Sequence, residues 1–236
     1  HYKTILTALS GLGYKIEWRV FNAMEFGLPQ NRNRVVIIGS KNGKPKESYL
    51  FNDKYDTYED VLEWNDIKKS NSAFKSWGMA YDGKFMTYDF KEHPVEGISL
   101  NDVLQEPENV DKSFYFTKDI DERISNSVYV NKLYNGVQIL YNQKGGARMG
   151  YTIYGTDGVS PTLTASTSRH YERYKVGDKY RRLTNVEYAR LQGFPDDHCK
   201  SIKKYDQYKL YGNAVPHQIV EYAMSKIIKN EYIIIS

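Results

Sequence analysis

The chain has 236 residues, 40% of them hydrophobic and 26% charged, with a formal net charge of +4 at pH 7, the composition of an ordinary soluble globular protein able to bury a core in one or two domains. No apolar run approaches the ~20 residues of a membrane span and the opening His-Tyr-Lys-Thr-Ile-Leu is no basic-then-apolar leader, so a cytoplasmic protein without a membrane partner is expected. The single cysteine, Cys199, excludes an internal disulfide, and with no cysteine pair or His-x-x-x-His spacing no metal site is expected.

Ile5, Leu9 and Leu12 recur at helical spacing and Gly11 and Gly13 end the pattern, which predicts an amphipathic helix over residues 2–12. Tyr14, Ile16, Trp18 and Val20 then alternate with Lys15, Glu17 and Arg19, the period-two pattern of a half-buried strand. Val35, Val36, Ile37 and Ile38 form an unbroken apolar run, read as a strand covered on both faces. Extended backward, that strand places Gln30, Arg32 and Arg34 on one face, three hydrogen-bonding side chains projecting together where the sheet meets solvent. Two readings stand at this level: a solvated strand end, or a polar claw for a flat, polar ligand. Helix, strand, loop and strand are too little for a stable domain, so their apolar surface needs cover from elsewhere in the chain or from a partner.

Residues 40–48, Ser-Lys-Asn-Gly-Lys-Pro-Lys-Glu-Ser, form a linker. Between 49 and 182, short aromatic and β-branched runs alternate with Gly, Asp and Asn turns, which predicts a mixed, strand-rich small domain with long loops. Its end, residues 169–182, holds six Lys/Arg against two acids, with Tyr171, Tyr174 and Tyr180 interleaved. Bases beside flat aromatic faces suit nucleic-acid binding, and a solvated loop in a chain with 22 tyrosines accounts for them equally well. Thr184 and Glu187 then make a capping box with Leu183 as its staple, and Gly193 and Pro195 stop the helix, predicted at about 185–192. Last, a Gly212-Asn213 turn leads to Pro216 at a first helical position. The helix that follows carries Ile219, Ala223 and Ile227 on one face, a lid for the N-terminal helix and strands.

Three blocks, in order, resemble the C-terminal half of a DNA (cytosine-5) methyltransferase. Pro-Gln-Asn-Arg-Asn-Arg-Val-Val-Ile-Ile-Gly resembles the family's motif VIII, Arg-Arg-Leu-Thr-Asn-Val-Glu-Tyr-Ala-Arg-Leu-Gln-Gly-Phe-Pro-Asp-Asp its motif IX, and Tyr-Gly-Asn-Ala-Val-Pro its motif X; residues 158–166 add a Thr-Leu pair. The resemblance implies an α+β chain, with a strand-rich target recognition domain attached to a remnant of an α/β S-adenosylmethionine-dependent methyltransferase sheet. Residues 1–40 would belong to the catalytic domain, 41–182 to the recognition domain, and 183–236 to motifs IX and X, the terminal helix returning to the catalytic domain.

Such enzymes flip a cytosine from double-stranded DNA into a pocket, add a thiolate to it and transfer a methyl group from S-adenosylmethionine. By the same carry-over Arg34 would donate to the flipped base, with Gln30 and Arg32 ordering the pocket as its catalytic row. Asn213 and Gly212 would lie against the methyl donor. Thr162 would anchor a phosphate, and Arg181, Arg182, Gln192 and Gly193 would organise the base of the recognition domain. DNA contact would come from Gly146 and Arg148 in one loop, and from Ser166, Arg169 and Arg173 in and beside a second. Whether these arginines read a guanine edge or only phosphate is open.

The chain contains no Phe-x-Gly-x-Gly loop and no Pro-Cys dipeptide, and Cys199 stands outside any nucleophile context. Glu108-Asn109-Val110 mimics the family's base-protonating motif at the wrong place in the order. The expectation is a cut piece or a split subunit, inactive without the missing N-terminal half, and not expected to bind the methyl donor well alone. The alternatives are a non-catalytic DNA-binding specificity module and a relative of an RNA cytosine methyltransferase.

Overall fold

The computed structural model describes residues 2–41, 76–82, 84–88, 94–116, 120–143, 152–165 and 172–228. The chain separates into two compact units, residues 1–21 with 34–92, and residues 22–33 with 93–236. This differs from the division expected at residues 40 and 182. The reason is local pairing: Asn31 N–H donates to Ser160 O (2.8 Å) and Ser160 N–H to Pro29 O (2.8 Å), which sews residues 22–33 into the second unit.

In the first unit α1 spans Tyr2–Gly11, close to the predicted helix. The strands β1 (Tyr14–Asn22), β2 (Asn33–Lys41), β3 (Trp77–Tyr81) and β4 (Lys84–Tyr88) form one sheet in the order β2-β1-β3-β4. β1 runs antiparallel to β3 with Ile16 opposite Ala80 and Trp18 opposite Gly78. Leu6, Ile16, Trp18 and Ala80 make the core, where an amphipathic helix meets the apolar face of a period-two strand.

Two strand expectations need correction. β1 is buried on both faces, not one, because its polar side chains are partnered: Lys15 Nζ donates to Glu17 Oε1 (2.8 Å), and the Arg19 guanidinium lies 4.5 Å from the Phe21 ring. β2 is not covered on both faces. It stands at the edge of the strand order, where Val35 is 50% exposed and Val36, Ile37 and Ile38 are only half-buried.

The second unit is built on a five-stranded sheet of β5 (Ser127–Tyr134), β6 (Val137–Gln143), β7 (Ile153–Tyr154), β8 (Arg173–Val176) and β9 (Lys179–Arg181), in that order. β7 and β8 pair in parallel and the other neighbours antiparallel. Asn135 and Gly136, with φ of 48° and 79°, form the two-residue turn between β5 and β6, a left-handed pair that Asn-Gly adopts at little strain. The helices are α2 (Ile120–Ser125), α3 (Asn185–Leu191), α4 (Lys204–Asn213) and α5 (His217–Ile228). Leu100, Phe114, Tyr154, Leu163, Leu183 and Leu191 are among the buried side chains that join sheet and helices.

α3 matches the predicted helix, and its capping box is complete: Glu187 N–H donates to Thr184 Oγ1 (3.1 Å) and Thr184 N–H to Glu187 Oε2 (2.7 Å). Gly212 and Asn213 do not form a free turn but close α4, and Pro216 immediately precedes α5. Ile219 and Ala223 are buried as expected, and α5 packs on the short 3₁₀ turn Ala23–Phe26, with Tyr222 edge-on to Phe26 at 5.8 Å. No described helix is long and apolar enough to cross a membrane.

Candidate functional site

Gln30 and Arg32 lie in the extended segment between the Ala23–Phe26 turn and β2, and both are wholly buried. The expectation that they open onto solvent is thereby corrected. Gln30 Nε2 donates to Leu191 O at the end of α3 (3.0 Å), and Gln30 Oε1 accepts from Leu163 N–H (3.1 Å). Arg32 donates from Nη1 to Leu163 O (2.9 Å) and from Nη2 to Gly212 O (2.7 Å) and Ala214 O (2.8 Å). Two adjacent side chains therefore tie the Thr-Leu segment, the end of α3 and the end of α4 to one another.

Burying a guanidinium without a carboxylate needs compensation. Among the described residues no acid pairs with Arg32, and the compensation comes from carbonyls. Gly212 and Ala214 lie at the C-terminal end of α4, where carbonyls lack helical partners and the helix dipole is negative. The forked planar cation reaches two chain segments at once, which a lysine ammonium cannot do. Its Nε is buried without a hydrogen-bond partner.

Gly212 has a steric role here. A Cβ at this position would lie 2.3 Å from Thr164 O and 2.6 Å from Ala165 N, so the backbones of α4 and residues 164–165 meet where only glycine fits. The side of Gly212 expected to approach a methyl donor is thus filled by the protein's own backbone. Asn213 is exposed at the last position of α4.

Arg34, the third member of the row, is half-buried in β2 and belongs to the first unit, whereas Gln30 and Arg32 belong to the second. Partial desolvation draws its guanidinium below the ordinary arginine value. Thr162 is exposed, and its Oγ1 donates to Asn31 O at 2.7 Å. Arg173, expected to face DNA, is buried in β8 with its guanidinium 4.5 Å from the Phe116 ring. Gly146, Arg148, Ser166 and Arg169 lie outside the described residues.

In the described part of the basic stretch before α3, Arg173 and Arg181 are buried and Arg182 is half-buried, whereas Lys175 and Lys179 are exposed. Arg181 forms a bidentate pair with Glu187, Nη1 to Oε2 at 2.8 Å and Nη2 to Oε1 at 2.6 Å, both side chains nearly inaccessible. Arg182 lies over the Phe114 ring at 4.9 Å, and Tyr174 is buried. Tyr188 O–H donates to Glu172 Oε2 (2.9 Å) in a cluster that also holds Tyr154 and Tyr174. Burial pushes the Glu172 carboxyl above its usual range, and burial together with Glu172 raises Tyr154 to about 12.

Sequence reasoning missed the amides interleaved with the Gln-Arg-Arg row. Buried Asn22 donates from Nδ2 to Asn31 Oδ1 (2.9 Å) and to Asn33 Oδ1 (2.8 Å), and Asn31 Nδ2 donates to Asn135 O (3.1 Å). Asn31, Asn33 and Thr162 line a cavity of about 360 Å³ beside the β5–β6 turn. The signal was available in the Asn-x-Asn alternation of residues 31–33.

A family model described as C-5 cytosine-specific DNA methylase matches residues 1–229. Type II methyltransferase M.BanI of Aneurinibacillus aneurinilyticus is 26% identical over an alignment covering 97% of this chain and 67% of that protein. For M.Sau3AI of Staphylococcus aureus the figures are 25%, 91% and 58%. The chain spans roughly half to two thirds of such relatives, from 48% to 67% of their length. A similar fold occurs in Schizosaccharomyces pombe Dnmt2 methyltransferase, with a TM-score of 0.55, 16% identity, and 97% of this chain and 63% of that chain covered. The Entamoeba histolytica methyltransferase EhMeth gives 0.55, 14%, 98% and 58%.

Proposed function

Because this chain belongs to the C-5 cytosine-specific DNA methylase family, we propose that it forms the part of a DNA (cytosine-5) methyltransferase that grips a specific duplex sequence and steadies the flipped cytosine. S-adenosylmethionine is the usual methyl donor of the family. Bound, it supplies an electrophilic methyl group. Gly212, expected to lie against it, already meets the backbone of Thr164 and Ala165 and does not fit that role. In this reading the nucleophile comes from polypeptide outside these 236 residues, since no Pro-Cys dipeptide occurs among them.

The observation that carries the reading is the set of bonds made by Gln30 and Arg32. They link the segment resembling motif VIII to Leu163, to Leu191 within the motif IX block, and to Gly212 and Ala214 of the motif X block. Blocks far apart in sequence, each matching one family motif, thus meet through two side chains. Gln30 and Arg32 act as positioning residues, and Arg34, whose partly desolvated guanidinium stays charged at any working pH, is the group offered to the base. Thr162 anchors a phosphate of the bound strand. Arg148 and Arg169 read or grip the DNA.

Methyl transfer from S-adenosylmethionine to cytosine in duplex DNA tests this. The chain alone gives no turnover, and adding a separately expressed polypeptide with the Pro-Cys and Gly-rich loop restores it. Turnover by the chain alone refutes the reading. Binding to duplex DNA in preference to transfer RNA at matched salt is expected, and the reverse preference makes the chain an RNA-directed relative.

A further inference from the structure

Resting on the nucleic-acid reading above, we propose that the cavity beside the β5–β6 turn receives one unstacked nucleobase of the bound strand, at a place separate from the target cytosine. Polar groups come from Asn31, Asn33 and Thr162, and Tyr134, Ile139 and Tyr154 are among the walls. None of the lining residues carries a charge. A phosphate would be met by arginine, lysine or a nest of backbone N–H groups. Side-chain amides present a donor and an acceptor in one plane, as the edge of a base does.

The amides are also fixed in advance. One buried side chain, Asn22, donates to the oxygens of both Asn31 and Asn33, and Asn31 in turn donates to the Asn135 carbonyl of the turn. Holding recognition groups before the ligand arrives removes ordering entropy from binding. At the mouth, Tyr134 is 63% exposed and offers a flat face for stacking, as single-strand binding surfaces do. A volume of about 360 Å³ lies at the low end of small-molecule sites, room for one base with its sugar and not for two.

Separation from the target base follows from alternation along the segment. Successive side chains of extended backbone point to opposite sides. Gln30 and Arg32 turn into the protein toward Leu163, Leu191 and Gly212, whereas Asn31 and Asn33 open on the cavity. Arg34, the group offered to the target base, shares the phase of Gln30 and Arg32 along the chain and not that of Asn31 and Asn33.

The test is a titration of the isotope-labelled chain with cytidine, adenosine, inorganic phosphate and deoxyribose 5-phosphate, followed at the side-chain amides of Asn31 and Asn33. Nucleosides shift these signals and the two phosphates do not. Asn33→Ala and Tyr134→Ala, both at exposed positions, each weaken the nucleoside response about threefold to tenfold. Equal shifts with deoxyribose 5-phosphate, or none with either nucleoside, overturn the proposal. Salt-dependent duplex binding is measured beside it. Duplex binding that persists without any nucleoside response discards the cavity assignment alone, and loss of duplex binding discards the reading beneath it.

Discussion

Arg32→Ala removes the donors of three carbonyls in one substitution, those of Leu163 and Gly212, which are buried, and that of Ala214, which is partly buried. Each acceptor left unsatisfied in the interior costs about 1–3 kcal/mol, which sets a ceiling of about 9 kcal/mol for the three. Two of them sit on one helix end and relax together, and water entering the vacated volume satisfies part of the deficit. We therefore expect a loss of about 3–5 kcal/mol, the range for removing one member of a buried charged network. Against a total of about 5–15 kcal/mol, this is enough to leave the second unit only marginally folded. Arg32→Lys recovers less than half, because a single ammonium cannot reach both Leu163 and the end of α4. Urea unfolding followed by circular dichroism measures the loss from the midpoint at constant m-value. A loss below about 1 kcal/mol, well under the cost of even one orphaned carbonyl pair, would refute the claim that this guanidinium joins the motifs.

Gly212→Ala drives a Cβ into the Thr164 carbonyl and should cost about 1–3 kcal/mol in thermal or urea unfolding; paired with Arg32→Ala the two losses add to less than their sum, since both loosen the same helix end. Arg181→Leu leaves Glu187 buried without its cation and should cost about 3–5 kcal/mol, and Arg181→Leu with Glu187→Leu recovers part of it. Burial holds the Glu172 proton more tightly in the folded state, so its contribution to stability is full below the ordinary carboxylate value and falls as pH rises to the raised one. Glu172→Gln removes that decline, and a stability-versus-pH difference between the two proteins that stays flat across this window would contradict it.

The ends of the chain were legible from local rules. The span of α1, the alternation of β1, and the Thr184/Glu187 box of α3 each arise within one element, so the residues that specify them are neighbours in sequence, but the buried face of α1 was not legible: of the expected stripe Ile5 and Leu12 are exposed, and Leu6 enters the core instead. The family was legible too, because its motifs are short and ordered. Burial was not. Alternation marked Lys15, Glu17 and Arg19 as a solvent face, and their partnering by one another and by Phe21 buries them. Residues 169–182 fitted a nucleic-acid surface and a solvated loop equally well, and in their described part Arg173, Arg181 and Arg182 are taken up by Phe116, Glu187 and Phe114 while Lys175 and Lys179 stay exposed.

By itself, the sequence determined where α1, β1 and α3 form and which chemical groups stand in the Gln-Asn-Arg-Asn-Arg segment. Only the tertiary structure decided which way those groups face: Gln30 and Arg32 inward onto carbonyls up to 182 residues away, Asn31 and Asn33 onto a cavity. Secondary structure is set by backbone bonding and side-chain period over a few residues, whereas the partner of a buried cation is whichever distant carbonyl the packing of the whole unit leaves unsatisfied.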